Sequence, residues 1–244
     1  MVKAFRIFLL SLLAFSFSSE NVSAQRNKIR LPIWTFNTDS TTIYGLSVGY
    51  THTDRIQHVI SNGIRIEAVG LGFFLPLIPR SPIVNSDTVF REMVFGPVAE
   101  KINGINLSPL GHGCDCRVNG INIYGFGSIV NATNGISLGL FGNFSYRSNG
   151  IQIGGVGNNS YKANGIQVAF GGNSTEHNMN GIQVGFFGNY AGKAMRGMQI
   201  GARNEAGKVR GLQIGLYNKT TDLKGLQIGL WNVNGKRKFP LINW

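Results

Sequence analysis

The chain has 244 residues, a formal net charge of +12 and only 14% charged residues, with 34 glycines and two cysteines. Two cysteines exclude a disulfide scaffold, and glycine at roughly twice its usual share of about 7% falls at fixed intervals, which argues against a flexible linker. The basic balance suits an anionic polysaccharide, a lipid headgroup layer or other envelope components; nucleic acid is excluded because no recognised binding motif accompanies the charge.

Residues 1–24 read as a secretory signal peptide. Lys3 and Arg6 precede the apolar run Ile7–Phe15, and Val22-Ser23-Ala24 supplies small residues for cleavage after Ala24. Cleavage would take Lys3, Arg6 and Glu20 with it, two cations and one anion, leaving +11. No later run is long and apolar enough for a spanning helix. Residues 25–44 are polar and irregular and suit a cap over the first open end of a repeat array.

Residues 45–103 hold two weak repeats, opening at Gly45 (Gly-Leu-Ser-Val-Gly-Tyr) and Gly63 (Gly-Ile-Arg-Ile), and then an excursion over 75–101. Pro76, Pro79 and Pro82 exclude a central strand there, and a short helix is expected around Thr88 to Val94. Inserted loops on regular scaffolds often carry function; a passive excursion is the equal alternative.

Residues 104–235 are tandem repeats. The opening glycine recurs at Gly104, Gly120, Gly135, Gly150, Gly165, Gly181, Gly197, Gly211 and Gly225, at intervals of 14 to 16 residues. In Gly211-Leu212-Gln213-Ile214-Gly215-Leu216-Tyr217-Asn218, apolar residues alternate with glycine and glutamine, the period-two pattern of a strand with one apolar face. A second apolar or small position stands two residues before each glycine: Thr133, Ser148, Ala163, Met179, Met195, Val209 and Leu223. Leu212, Ile214 and Leu216 are expected inside, asparagines in a ladder along the bend, and Gly215 on the outer face. Gln152, Gln167, Gln183, Gln199, Gln213 and Gln227 would then form an outward row, either a contact strip or a glutamine ladder that only stabilises the stack.

The expected fold is all-β, a β-solenoid of 14–16-residue coils. The alternative is an antiparallel outer-membrane β-barrel, whose strands would face lipid with the same apolar positions. Barrel strands alternate in direction, so their sequence period should be two strands. Here each unit resembles its immediate neighbour, which favours the solenoid. Residues 236–244 close the chain; Lys236, Arg237, Lys238 and Pro240 are recognised means of blunting an open sheet edge.

Tandem G-L-Q-I-G-L-x-N units behind a signal peptide resemble the bacterial surface-repeat proteins. The likeness covers Gly104 to Trp244 well and Gly45 to Lys101 poorly. It implies export to a Gram-negative envelope or cell surface and carries no catalytic residue across.

Little chemistry stands out. His112, Cys114 and Cys116 are too few and too closely spaced for a structural zinc site, and a mutual disulfide across one residue would be strained. His52, His58 and His177, with Asp54 and Glu176 nearby, lack a nucleophile. Gly154-Gly155-Val156-Gly157 lacks the lysine and helix of a phosphate loop. The expectation is a non-enzymatic exported protein, structural or adhesive, without cofactor or metal; a small outer-membrane pore is the alternative.

Overall fold

In the computed structural model, which describes residues 27–51, 58–78 and 81–244, successive repeats are hydrogen-bonded strands that all run the same way. The pairing is in register, like upon like. Gly197 lies on Gly211 and Gly211 on Gly225, and Gln199, Gln213 and Gln227 stack in the same manner. The fold is a β-solenoid of about 13 turns with coils of about 15 residues, and it is not a barrel. A barrel would need antiparallel neighbours, and the coils supply none.

The register follows from the glycine that opens each repeat. From Gly45 to Gly225 each has a positive φ, between 118° and 149°. A Cβ on Gly211 would stand 2.0 Å from the carbonyl oxygen of Gly197 in the coil below. Only glycine takes that backbone shape and that approach, so one residue type fixes one corner of every coil.

What lies inside differs from the sequence expectation. Gln152, Gln167, Gln183, Gln199, Gln213 and Gln227 are all at most 1% exposed. The expected outward strip is therefore an interior column. Leu212 and Ile214 are half-buried on the outer face, and Leu216 is 59% exposed. The reason is parity. Val209, two residues before the glycine, is fully buried, and the strand Arg203–Ile214 continues through Gly211 without a bulge at that point. Positions two apart share a face, so an inward Val209 makes Gln213 inward. Burying the amides is tolerable because each one is bonded. Gln213 Nε2 donates to Gln199 Oε1 at 2.7 Å, and Gln227 Nε2 donates to Gln213 Oε1 at 2.7 Å. Gly215, expected to have room for a side chain, has none: its Cβ would meet Gly201 O at 2.0 Å.

The rest of the interior alternates polar ladders with small apolar contacts. Asn158, Asn173, Asn189, Asn204, Asn218 and Asn232 pass amide hydrogen bonds from coil to coil at 2.7–2.9 Å. Their Nδ2 atoms also reach carbonyls across the bend, as Asn204 does to Ile214 O at 2.8 Å. Ala163, Met179, Met195 and Val209 stack with Ala191 and Ala206 into the apolar part. Ala163, Met179, Met195 and Val209 are the residues expected two places before the glycine.

The ends are closed differently. Strands Lys28–Arg30 and Ile33–Thr35 add parallel to Thr41–Tyr50. At the other end Lys238–Asn243 turns back and pairs antiparallel with Tyr217–Val233. Asn243 enters the glutamine column there, donating to Gln227 Oε1 at 3.0 Å.

A 3₁₀ helix, Leu71–Leu77, begins before the expected start of the excursion and leads into it, and an α-helix, Asp87–Phe95, lies within it. Ser86 caps the latter, its side chain accepting from the Val89 N–H. Phe90 and Val94 pack with Ile83 against Tyr146 and Tyr161, and Lys162 bonds Asp87 at 2.8 Å.

Candidate functional site

Among the described residues, two outer surfaces and two interior clusters gather the polar and apolar groups open to a functional reading. The first surface is the sheet face that follows the opening glycines. Its outward positions, one, three and five residues after the glycine, are almost all aliphatic or aromatic. Ile153 is 43% exposed, Ile182 36% and Ile228 38%. The outermost row is barer still, with Leu140, Phe170, Phe186, Leu216 and Leu230 at 59–72%. Phe170 and Phe186 stack at 5.2 Å between centroids with 4° between planes. Stacking in register, which fixes the interior, thus also aligns an apolar stripe outside. A shallow trough of about 960 Å³ runs along it, bounded by Phe186, Ile200, Leu216 and Leu230 and closed by Leu241 and Ile242.

Basic side chains border this face. Arg196, Arg210 and Lys224 stand immediately before the glycine, two residues from the first apolar row. In earlier coils that position belongs to asparagines, bonded in a row through Asn62, Asn103, Asn119 and Asn134 at 2.7–2.9 Å. Of the acids between Gly104 and Gly235, Asp115, Glu176, Glu205 and Asp222, none occupies the apolar rows. Asp222 bonds Arg210 at 2.8 Å, and Arg210 holds the Asp222 carboxyl below its ordinary range by that hydrogen bond.

The second surface is a groove of about 730 Å³ where the excursion meets the coils. Leu75 and Ile78 form one wall, Phe144, Phe187 and Tyr190 line the coils, and Arg203 and Glu205 sit at the rim. Arg203 and Lys219 both bond Glu205, at 2.8 and 2.7 Å. The Glu205 carboxyl is drawn down chiefly by its hydrogen bond to Lys219. Its volume falls in the usual ligand-pocket range of about 300–1,000 Å³, but the polar groups at its rim are paired with one another.

The interior clusters are sealed. Arg65 occupies the column position held elsewhere by glutamine. Its Nε donates to Glu100 at 3.0 Å and its Nη1 to Glu67 at 3.1 Å and to Asn106 Oδ1 at 2.8 Å. Ser61 donates to Glu100 at 2.7 Å and Ser108 to Glu67 at 3.0 Å. Burial pushes the Glu100 carboxyl up against the opposing pull of Arg65. Aligning Gly63 with the later repeat glycines places Arg65 in the glutamine register, the one sequence signal that pointed to it. A fully bonded group of this kind specifies packing, and breaking it by removing one partner typically costs about 3–5 kcal/mol.

His112 lies beside it, fully buried, with Nε2 3.2 Å from Ser128 Oγ and Nδ1 3.5 Å from Asn106 Nδ2. Burial lowers its pKa to about 4. Cys114 and Cys116 are joined as a disulfide, against the sequence expectation of separate thiols. The three ligand atoms lie within 4.8 Å of one another, yet both sulfurs are bonded and both ring nitrogens face polar neighbours. This arrangement does not fit a metal. His177 is near Asp87, 3.9 Å away, and meets Lys193 Nζ at 3.3 Å; Ser174 donates to Glu176 at 2.9 Å and not to His177, so hydroxyl, imidazole and acid form no relay. His58 stands apart from these, and His52 and Asp54 lie outside the described residues.

The fold and surfaces define a β-solenoid repeat protein with an apolar outer face. No family model matches the chain, and no curated protein or solved structure matches it either.

Proposed function

We propose that the protein is an exported, non-enzymatic repeat scaffold that adheres through its outer faces at a bacterial envelope or surface. The single observation that carries this reading is the uniform apolar face after the opening glycines, repeated coil after coil at half-exposed and exposed positions. A surface patch this regular marks an interaction site. Support for export comes from the pattern of Lys3, Arg6, the apolar run to Phe15 and the small residues ending at Ala24. Surface placement also accords with the resemblance of the G-L-Q-I-G-L-x-N units to surface-repeat proteins. The non-enzymatic reading is supported by the buried, mutually satisfied state of the acidic and imidazole groups around Arg65.

Expression in a Gram-negative host tests it. N-terminal sequencing should find Gln25 first, and fractionation should place the chain in the envelope. An uncleaved chain in the cytoplasm would sink the export claim. Turnover of any member of a glycan panel would remove the non-enzymatic one.

A further inference from the structure

We infer that the partner of the apolar face is an anionic lipid bilayer, against which the solenoid lies with that face down. This deepens the adhesive reading above and rests on it only for the use of the face, not for export.

Size comes first. Two outward strand rows, one and three residues after the glycine, make a face about 13 Å wide, bordered at the bend by Leu140, Phe170, Phe186, Leu216 and Leu230, and the eight coils from Gly120 to Gly225, stacked at about 4.8 Å, make it about 38 Å long. The strand rows alone cover about 500 Å², and the bend row extends this, placing the face at the upper end of the roughly 300–600 Å² of the largest apolar patch on an ordinary monomer, a size that is often functional. The face is made by a parallel stack, so its two strand rows are straight, as a bilayer requires and a small ligand does not, while the bend row sets Leu140, Phe170, Phe186, Leu216 and Leu230 among the small residues Gly125, Gly155 and Ala202.

Charge selects the lipid. Arg196 and Lys224 border the face, Arg196 keeping its full charge while Nη1 donates to the neutral Asn180 Oδ1 at 3.2 Å, and Arg210 adds a third charge partly answered by Asp222. Long basic side chains lay their stems along apolar surface and set their heads at the headgroup level. At the end of the stack Lys236 and Lys238 are exposed beside Phe239, Leu241 and Ile242. Trp231 and Trp244, 46% and 64% exposed, stand at the same end, and Arg237 lies over the Trp244 ring at 4.4 Å. Aromatic rings with a polar edge, next to lysine and arginine, are the side chains that collect at membrane interfaces. The apolar trough between the outer rows suits an acyl chain of the facing leaflet.

A second copy of the chain is the competing occupant. Pairing two such faces would join two molecules that each carry a net charge of +11 from Gln25 onward, and it would leave both basic borders uncompensated. An anionic bilayer neutralises them. The excursion packs on another side of the coils, against Tyr146 and Tyr161, and leaves this face bare.

The test uses the chain from Gln25, which contains every described residue, with vesicles of phosphatidylcholine mixed with phosphatidylglycerol or of phosphatidylcholine alone. The protein should float with the mixed vesicles at low salt and release as salt rises. Phe186→Gln, Leu216→Gln and Leu230→Gln combined alter exposed side chains only, so circular dichroism should stay native while vesicle affinity falls at least tenfold. Arg196→Gln, Arg210→Gln and Lys224→Gln combined should lose roughly a hundredfold on the anionic vesicles at low salt and little on neutral ones. Failure of the parent chain to float, or equal binding by the parent and the folded apolar variant, overturns the proposal. A dimer in solution that the apolar variant abolishes, with no vesicle binding, assigns the face to a second copy and overturns it too. Cytoplasmic retention in cells together with vesicle binding in vitro would remove export and leave the docking intact.

Discussion

Gln213→Ala and Ile214→Ala, at adjacent residues of one strand, separate an amide interior from an aliphatic one. Gln213 is fully buried and sits between two partners, donating to Gln199 and accepting from Gln227. Truncation leaves Gln199 Oε1 facing an empty site; an orphaned buried acceptor costs about 1–3 kcal/mol. Gln227 Nε2 keeps a contact to Val233 O at 3.2 Å. The void left by the lost side chain adds a packing cost, so the total is about 3–5 kcal/mol. Ile214 is half-buried on the outer face. Removing its methyl and methylene groups forfeits burial at about 0.8 kcal/mol per fully buried carbon, so roughly 1–1.5 kcal/mol after allowing for exposure. For a chain of this size each kcal/mol shifts Tm by about 2–4 °C. Gln213→Ala should therefore melt roughly 6–20 °C below the parent and Ile214→Ala roughly 2–6 °C below, followed by circular dichroism. If Ile214→Ala proves the more damaging, the amide column is not the core and the inward assignment fails.

The opening glycines offer a matched pair: Gly211→Ala meets Gly197 O at 2.0 Å with φ at +145°, and should cost about 1–3 kcal/mol or more. Gly113→Ala meets nothing within 4 Å, so equal denaturation midpoints for the two would refute the corner argument. His112 is held near pKa 4 by burial against 6.5 when unfolded, so the unfolded chain binds the extra proton between those values. Its contribution should be full above about pH 6.5 and fall by about 3 kcal/mol as pH drops to about 4. Glu100, whose carboxyl is raised, acts in the opposite sense, so the effect is read as the difference in pH slope between the parent and His112→Gln. Identical slopes in urea titrations at several pH values would count against a buried neutral imidazole. Deleting Lys236 to Trp244 strips the antiparallel strand from Tyr217–Val233 and takes Asn243 from Gln227. The exposed edge should then self-associate, with scattering mass rising with concentration while the circular dichroism stays β-rich; a strictly monomeric truncated chain would show that this strand protects nothing.

Much of the architecture was legible in the chain because a solenoid turns sequence period directly into space. One glycine every 14 to 16 residues, with each unit like its neighbour, required translation by one unit, and that implied parallel coils rather than a barrel. The asparagine ladder, the helix in the excursion and the inward row through Met179, Met195 and Val209 were readable for the same reason. The direction faced by the strand after the glycine was not. Hydrophobicity put Leu212, Ile214 and Leu216 inside, whereas counting by twos from Val209 across Gly211 puts Gln213 there. Pattern alone could not choose, because a lone buried glutamine is costly and an aliphatic one residue along is the ordinary alternative. Only the stack decides, since in-register coils give every Gln213 a Gln199 below and a Gln227 above. Each amide is then satisfied along the axis, its cost vanishes, and the aliphatic face is released to the outside. The sequence determined the repeat, the strand and the corner; the tertiary structure alone determined which face of the strand is core, because that depends on partners supplied by neighbouring coils.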